Sequence, residues 1–298
     1  MHGLTEILLL PLIGAVTIGV FKSVVPKRLI GIWASLLVVA SFVLVVIADL
    51  YLAGLPAGHR VVSGTLFNWV TGFGPGIGWN VYLDPLSGVW LLVITGVGAL
   101  IHIFSKGYMH DDPDEGRFFG YLNFFIFSME LLVLGGNLLV LLIGWGLVGL
   151  ASYLLVGFWY HRPSAVRAAK KAFVMNTIGD VGILIGLALL YFHYHTVTYS
   201  GLFAAFSHAT PNSAFFEWTA FLLYIGAMAK SAQFPLNGWL VDAMEGPTPV
   251  SALIHAATMV TAGVYLMARL FPLLRLAPDV HYLIAAIGAF MTIFAASA

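Results

Sequence analysis

Long apolar runs alternate with short polar interruptions along the whole chain. A helix needs about 20 mainly apolar residues to cross the hydrocarbon of a bilayer. Nine stretches fit: approximately residues 3–21, 29–52, 82–105, 118–135, 138–160, 168–192, 216–236, 249–272 and 281–298. Gly54 to Asn80 is too rich in Gly, Pro and polar residues to cross, and VVSGTLFNWV within it alternates with the period of a strand, which predicts a short hairpin or lid. His193 to Phe215 predicts a second long loop. The pattern reads as an all-α polytopic membrane protein of about nine transmembrane helices forming one domain over 1–298. Its last run, 281–298, is still apolar at Ala298 and reads as an incomplete last helix of a truncated half-bundle.

One run breaks the pattern from within. FLLYIGAMAKSAQFPLNGW, Phe221 to Trp239, carries Lys230 with no carboxylate near it in sequence. Five residues on, Pro235 removes a backbone N–H, which predicts a seventh helix broken at Pro235. A lone ionisable group beside a broken helix points to an ion or proton pathway.

Composition agrees and narrows the class. The chain is 60% hydrophobic and 9% charged, against about 25% charged in soluble domains. Zero net charge argues against nucleic acid as a partner. With no cysteine, disulfides, thiol catalysis and thiolate-bound clusters are excluded. The N-terminus has no basic n-region, so the first run reads as a span and not as a cleaved signal. One set of alternate loops holds Lys22, Lys27, Arg28, Lys106, Arg117, Arg162, Arg167, Lys170 and Lys171; the other holds Arg60, Arg269 and Arg275. The basic side is expected to be cytoplasmic, with the N-terminus outside and a bacterial inner membrane as the location.

Four ionisable positions lie within the spans: Glu130, Asp180, Lys230 and His255. Burial makes a lysine able to load and release a proton as a carboxylate approaches or withdraws, and a histidine relays near neutral pH. The plainer reading makes Glu130, Asp180 and His255 structural pins between helices. Lys170 and Lys171 read as anchors, and His193, His195 and His208 make no metal site by their spacing.

Four blocks carry a resemblance: DPLSGVWLLVITGVGALIHIFSKGYM (84–109), GWGLVGLASYLLVGFWY (144–160), KAFVMNTIGDVG (171–182) and AKSAQFPLNGWLVDAMEGPTPVSALIHAATMVTAG (229–263). They resemble the largest antiporter-like membrane subunit of proton-pumping NADH:quinone oxidoreductase, respiratory complex I, over the first half of that family's usual length. The resemblance implies that Lys230 is the central lysine of the broken seventh helix. It implies that His255 is the linking histidine of the eighth helix and Asp180 the acidic residue of the sixth. Asp242, Glu245, Pro247 and Pro249 would then form the cytoplasmic turn after the break. It further implies no cofactor on this chain, with NADH, flavin, iron–sulfur clusters and quinone on partner subunits of a respiratory membrane arm.

The family pattern GWE reads Gly144-Trp145-Gly146 here, so the glutamate expected to partner the lysine is missing. Glu130 lies across the hairpin at a depth that differs from Gly146 by roughly 6 Å at 1.5 Å per residue. It is expected to substitute for that glutamate. Two other readings stay open: a subunit of a multisubunit cation/proton antiporter or bicarbonate-uptake complex, and a non-pumping membrane scaffold.

Overall fold

The computed structural model describes residues 2–21, 24–70, 77–211 and 213–297. Lys22, the 71–76 tip of the predicted outer loop and Ala298 lie outside them. Two long helices open the chain, α1 (His2–Phe21) and α2 (Lys27–Gly54). An antiparallel hairpin follows, β1 (Val62–Val70) paired with β2 (Ile77–Leu83) in a register that sets Val62 opposite Leu83. The alternating stretch at 61–70 therefore does form a strand. Then come α3 (Pro85–Tyr108), α4 (Glu115–Leu134), α5 (Leu138–Val156), α6 (Pro163–Tyr194) and α7 (Tyr199–Phe206). The remainder is α8 (Ala214–Lys230), α9 (Gly238–Asp242), α10 (Thr248–Ala252), α11 (Met259–Arg269), α12 (Phe271–Leu274) and α13 (Pro278–Ser297).

Among the described residues, eight stretches are helical, long and apolar enough to cross a membrane. The expected seventh crossing departs from that pattern. Its helix α8 is 17 residues long and stops at Lys230, so the break starts five residues before Pro235. Ala232 takes a left-handed φ of 48°, and Gln233 N–H reaches back to Met228 O, so the helical ladder is lost ahead of the proline. Pro235, joined to Phe234 by a cis peptide, lies in the turn, and α9 completes the crossing. A second break, absent from the apolar pattern, interrupts the eighth crossing. Between α10 and α11 a five-residue π-turn, Leu253–Ala257, carries His255, and the Thr258 hydroxyl caps Leu253 O at 2.6 Å. A π-turn spreads one extra residue over the ladder, a common device at functional sites.

The two ends of the bundle are distinct. At the hairpin end, Gly136 N–H bonds Asn80 O at 2.8 Å and Leu138 N–H bonds Val197 O at 3.0 Å. The Arg269 guanidinium grips the Asp84 carboxylate there as well. Asn137 ties this end together: its Oδ1 accepts from Leu139 and Val140 N–H to cap α5, while its Nδ2 donates to Gly78 O at 2.8 Å. At the basic end, Lys171 pairs with Asp242 at 2.7 Å and Ser164 donates to Glu245 at 3.0 Å. Trp159 Nε1 donates to Asp112 at 3.1 Å on the same side. Between them α4 is buried along nearly its whole length, packed by α1, α2, α3 and α5.

Candidate functional site

Close packing of α6 on α8 builds the site. A Cβ added at Gly179 would lie 2.5 Å from Ala229 Cβ, one at Gly182 would lie 2.6 Å from Leu222 O, and one at Gly226 would lie 2.2 Å from Ile183. Small residues at this spacing let two helix backbones approach as larger side chains would not. The contact sets Asp180 on α6 and Lys230 at the end of α8 towards the same stretch of α5. A Cβ at Gly149 would lie 3.1 Å from Lys230 Nζ and 4.0 Å from Asp180 Oδ2, so both charges border one point on α5.

Lys230 is fully buried, and the turn behind it is pinned on three sides. Trp239 Nε1 donates to Ala229 O at 2.9 Å, Ser231 Oγ donates to Val260 O at 2.7 Å, and Tyr224 OH donates to Gln233 Oε1 at 2.7 Å. The ammonium lies 5.7 Å from the centre of the Trp145 ring. Asp180 and Lys230 act on each other electrostatically, yet Lys230 Nζ and Asp180 Oδ1 have no hydrogen-bond partner among the described residues. The Trp145 indole N–H faces Asp180 without closing a hydrogen bond of normal geometry. The pair is close and still open, an arrangement that changes charge state more easily than a locked salt bridge.

The other predicted residues fall into place unequally. Glu130 is fully buried but does not adjoin Lys230: its Oε1 accepts from Ser41 Oγ of α2 at 2.7 Å. The expectation that Glu130 partners Lys230 is therefore corrected in favour of Asp180. Counting residues gives the height of a side chain in the membrane but not its direction, and the face of α4 that carries Glu130 turns to α2, away from α8. His255 is half-buried on its π-turn, with Nε2 unpartnered among the described residues and no hydrogen bond to Lys230. Asp242 and Glu245 hold α9 and the following turn to α6, while Pro247 precedes α10 in extended backbone and Pro249 lies buried in its first turn. Trp145 and Gly149 were not singled out in the sequence; the Gly at one helical turn from the Trp was the signal available.

Comparison with known proteins follows the same lines. The family model described as "NADH:quinone oxidoreductase/Mrp antiporter, TM" matches residues 135–298, and "NADH-Ubiquinone oxidoreductase (complex I), chain 5 N-terminus" matches 69–119. The chain belongs to the NADH:quinone oxidoreductase/Mrp antiporter family. Subunit L of the NADH-quinone oxidoreductase of Mycobacterium tuberculosis is 52% identical over 238 residues, 80% of this chain and 37% of that protein. The Rhodobacter capsulatus subunit L is 41% identical over 309 residues, 98% of this chain and 43% of that protein. Chloroplastic NAD(P)H-quinone oxidoreductase subunit 5 of Piper cenocladum is 44% identical over 289 residues, 94% and 38% respectively. The chain thus spans about two fifths of the length of these relatives. Among solved structures, the Mrp complex from Dietzia sp. superposes with a TM-score of 0.74 at 26% identity, covering 89% of this chain and 27% of that one. The archaeal membrane-bound sulfane sulfur reductase shares the fold at a TM-score of 0.77.

As a member of this family, the chain shows what the glycine at 146 changes locally. A Cβ at Gly146 would meet nothing within 4 Å, whereas Gly149, one turn further, directly backs the charged pair. Gly149→Ala is expected to crowd the ammonium by a few tenths of an ångström and, under the function proposed below, to slow proton translocation several-fold while assembly is kept. Gly146→Ala serves as the neutral control. Equal pumping by both variants would detach Gly149 from the site.

Proposed function

We propose that this chain is a proton-translocating membrane subunit of an NADH:quinone oxidoreductase. The observation that carries the reading is the fully buried Lys230, bordered by Asp180 across Gly149 and left without a fixed hydrogen bond. The names and identities of the relatives support the same assignment. NADH, flavin, iron–sulfur clusters and quinone belong on partner subunits in this proposal, and the energy of electron transfer reaches the chain as a shift in helix packing or in a neighbouring charge. The basic end of the bundle faces the cytoplasm and the hairpin end faces outward, in a bacterial inner membrane, with the N-terminus outside.

The magnitudes are adequate. Moving one charge against 100 mV takes about 2.3 kcal/mol. Drawing an ammonium and a carboxylate from about 7 to about 4 Å at an effective dielectric near 20 changes their attraction by about 2 kcal/mol. An ångström-scale shift of α6 against α8 therefore decides whether Lys230 holds or releases its proton. His255, on the π-turn of the next crossing, is the acceptor on the way out. The alternative, a cation/proton antiporter subunit with the same site, is not favoured, since the relatives named above are quinone oxidoreductase subunits. Its mark would be pumping that depends on sodium.

The test is Asp180→Asn in the assembled complex reconstituted in vesicles. Proton translocation per electron pair is expected to fall while quinone reduction continues in the presence of an uncoupler. An unchanged ratio would mean that Asp180 does not control Lys230.

A further inference from the structure

A second set of buried polar groups lies outside the Lys230 centre, on the opposite flank of α4. Glu130 and Asn123 are both fully buried and seven residues apart, so they share a face of α4 about 10 Å apart. Glu130 Oε1 accepts from Ser41 Oγ at 2.7 Å, and its Oε2 has no partner among the described residues. Asn123 Nδ2 donates to His102 Nε2 of α3 at 3.3 Å and to Phe119 O at 3.1 Å; its Oδ1 has no hydrogen-bond partner among the described residues. His102, also fully buried, bonds Gly98 O through Nδ1 at 2.7 Å. That contact requires the proton on Nδ1 and leaves Nε2 as an acceptor. Eight residues before Asn123, at the basic end, the buried Glu115 carboxyl lies against Gly31 of α2, 3.3 Å from where a Cβ would stand.

Buried polar groups in proteins are normally satisfied, so unpartnered oxygens on two side chains of one buried face call for an explanation. Packing alone does not supply one. The bond to Ser41 would be made as well by a glutamine, and among the described residues nothing cationic approaches the carboxyl and its only side-chain partner is Ser41. The missing side chain of Gly14 lets the Asn123 oxygen lie directly against α1, since a Cβ there would stand 2.3 Å from Oδ1. Glu115, Asn123 with His102, and Glu130 with Ser41 thus follow one helix face from the basic end towards the hairpin end. Charged and hydrogen-bonding residues strung through a membrane domain in this way mark proton relays.

We propose that this face of α4 is a second proton route, with Glu130 as its proton-exchanging group and His102 as its middle station. A proton arriving at His102 Nε2 forms an N–H bond there and displaces the Asn123 N–H that had been donated to it. Its transfer onwards, carried over about 10 Å to Glu130 by a chain of water molecules, breaks that bond and forms an O–H bond at Glu130 Oε2. Release from Oε2 at the hairpin end leaves the carboxylate bonded to Ser41. One proton enters and one leaves, with no redox change.

The test is infrared difference spectroscopy on the intact membrane complex, with the pH stepped across the titration range in light and heavy water. Glu130→Gln is expected to remove one carboxylic C=O band that responds to the pH step, Ser41→Ala to move that band, and Lys230→Ala to leave it in place. In pumping assays Glu130→Gln is expected to lower protons translocated per electron pair. A band that ignores the pH step, or normal pumping by Glu130→Gln, would make Glu130 a structural pin and overturn the route. A band that vanishes in Lys230→Ala would merge the two sites and overturn their independence. The pH-step readout does not use the driving reaction, so it stands or falls separately from the assignment to an NADH:quinone oxidoreductase. Should Glu130→Gln fail to assemble, Ser41→Ala alone decides, because a band that does not move excludes Glu130 as its source.

Discussion

Under the proposed function, Lys230→Ala is expected to slow proton transfer by about 10²-fold or more, the scale on which a positioned proton donor–acceptor contributes, while electron transfer in an uncoupled membrane continues. Lys230 is the buried cation that borders Asp180, and Trp145 contributes only a ring face at 5.7 Å. Alanine removes both the proposed proton carrier and the charge that Asp180 answers. Lys230→Arg separates these two roles. A guanidinium keeps the positive charge but does not deprotonate in proteins. The arginine variant is therefore expected to retain the fold and lose pumping almost as completely as the alanine variant. If Lys230→Arg pumps at the native ratio, fixed charge is what the site needs, and proton exchange at residue 230 is wrong. The measurement is the proton-to-electron ratio in vesicles, with quinone reduction followed in parallel.

The second large effect is on stability. Arg269 of α11 makes a two-pronged contact with Asp84, the residue that caps α3, and the second prong is 2.8 Å long. The guanidinium also lies 5.2 to 5.3 Å from the rings of Tyr82, Tyr199 and Tyr265. Asp84 further accepts from Ser87 N–H, so one carboxylate joins the start of α3 to the end of the broken eighth crossing. Removing one partner leaves the other charge buried and is expected to destabilise by about 3–5 kcal/mol. Asp84→Ala is thus expected to impair assembly far more than disruption of the half-exposed Lys171–Asp242 pair, which is worth at most about 1 kcal/mol. Burial alone would raise the Asp84 carboxyl, but its bonds to Arg269 and Ser87 outweigh burial and hold it below the ordinary carboxylate range. A carboxyl depressed in the folded state stabilises above its unfolded pKa, and that contribution is lost as pH falls through the folded value. Thermal stability of the native chain is therefore expected to decline in acid below about pH 4, and Asp84→Asn to remove that part of the decline. Identical acid profiles for the two proteins would assign the loss to other groups.

Much of the architecture was legible because lipid offers no partners for backbone groups, so a crossing must be helical and its apolar run must be long. The hairpin strand at 61–70 was readable from its two-residue alternation, and Lys230 stood out because the run around it is otherwise apolar. The position of the break was not readable. Pro235 is the visible breaker, yet the helix has already ended at Lys230, where the left-handed Ala232 and the Ser231 and Trp239 bonds hold a turn. The π-turn at His255 leaves no mark in hydrophobicity, because it changes the ladder and not the composition.

The partner of Lys230 shows the same division most clearly. Sequence separation and rise per residue placed Glu130, Asp180 and Lys230 in the membrane and ranked Glu130 first by depth. Depth is additive along a helix and can be counted, but the direction of a side chain around the helix depends on which neighbour packs there. That was decided by Gly179, Gly182 and Gly226, whose lack of side chains draws α6 onto α8 and turns Asp180 towards Lys230. The amino-acid order alone therefore determined the crossings, the two unequal ends and the buried ionisable residues, because each follows from the solvation of single residues or short runs. Only the tertiary structure decided that Asp180 faces the lysine and Glu130 faces Ser41, because a pairwise distance between charges is a property of helix packing.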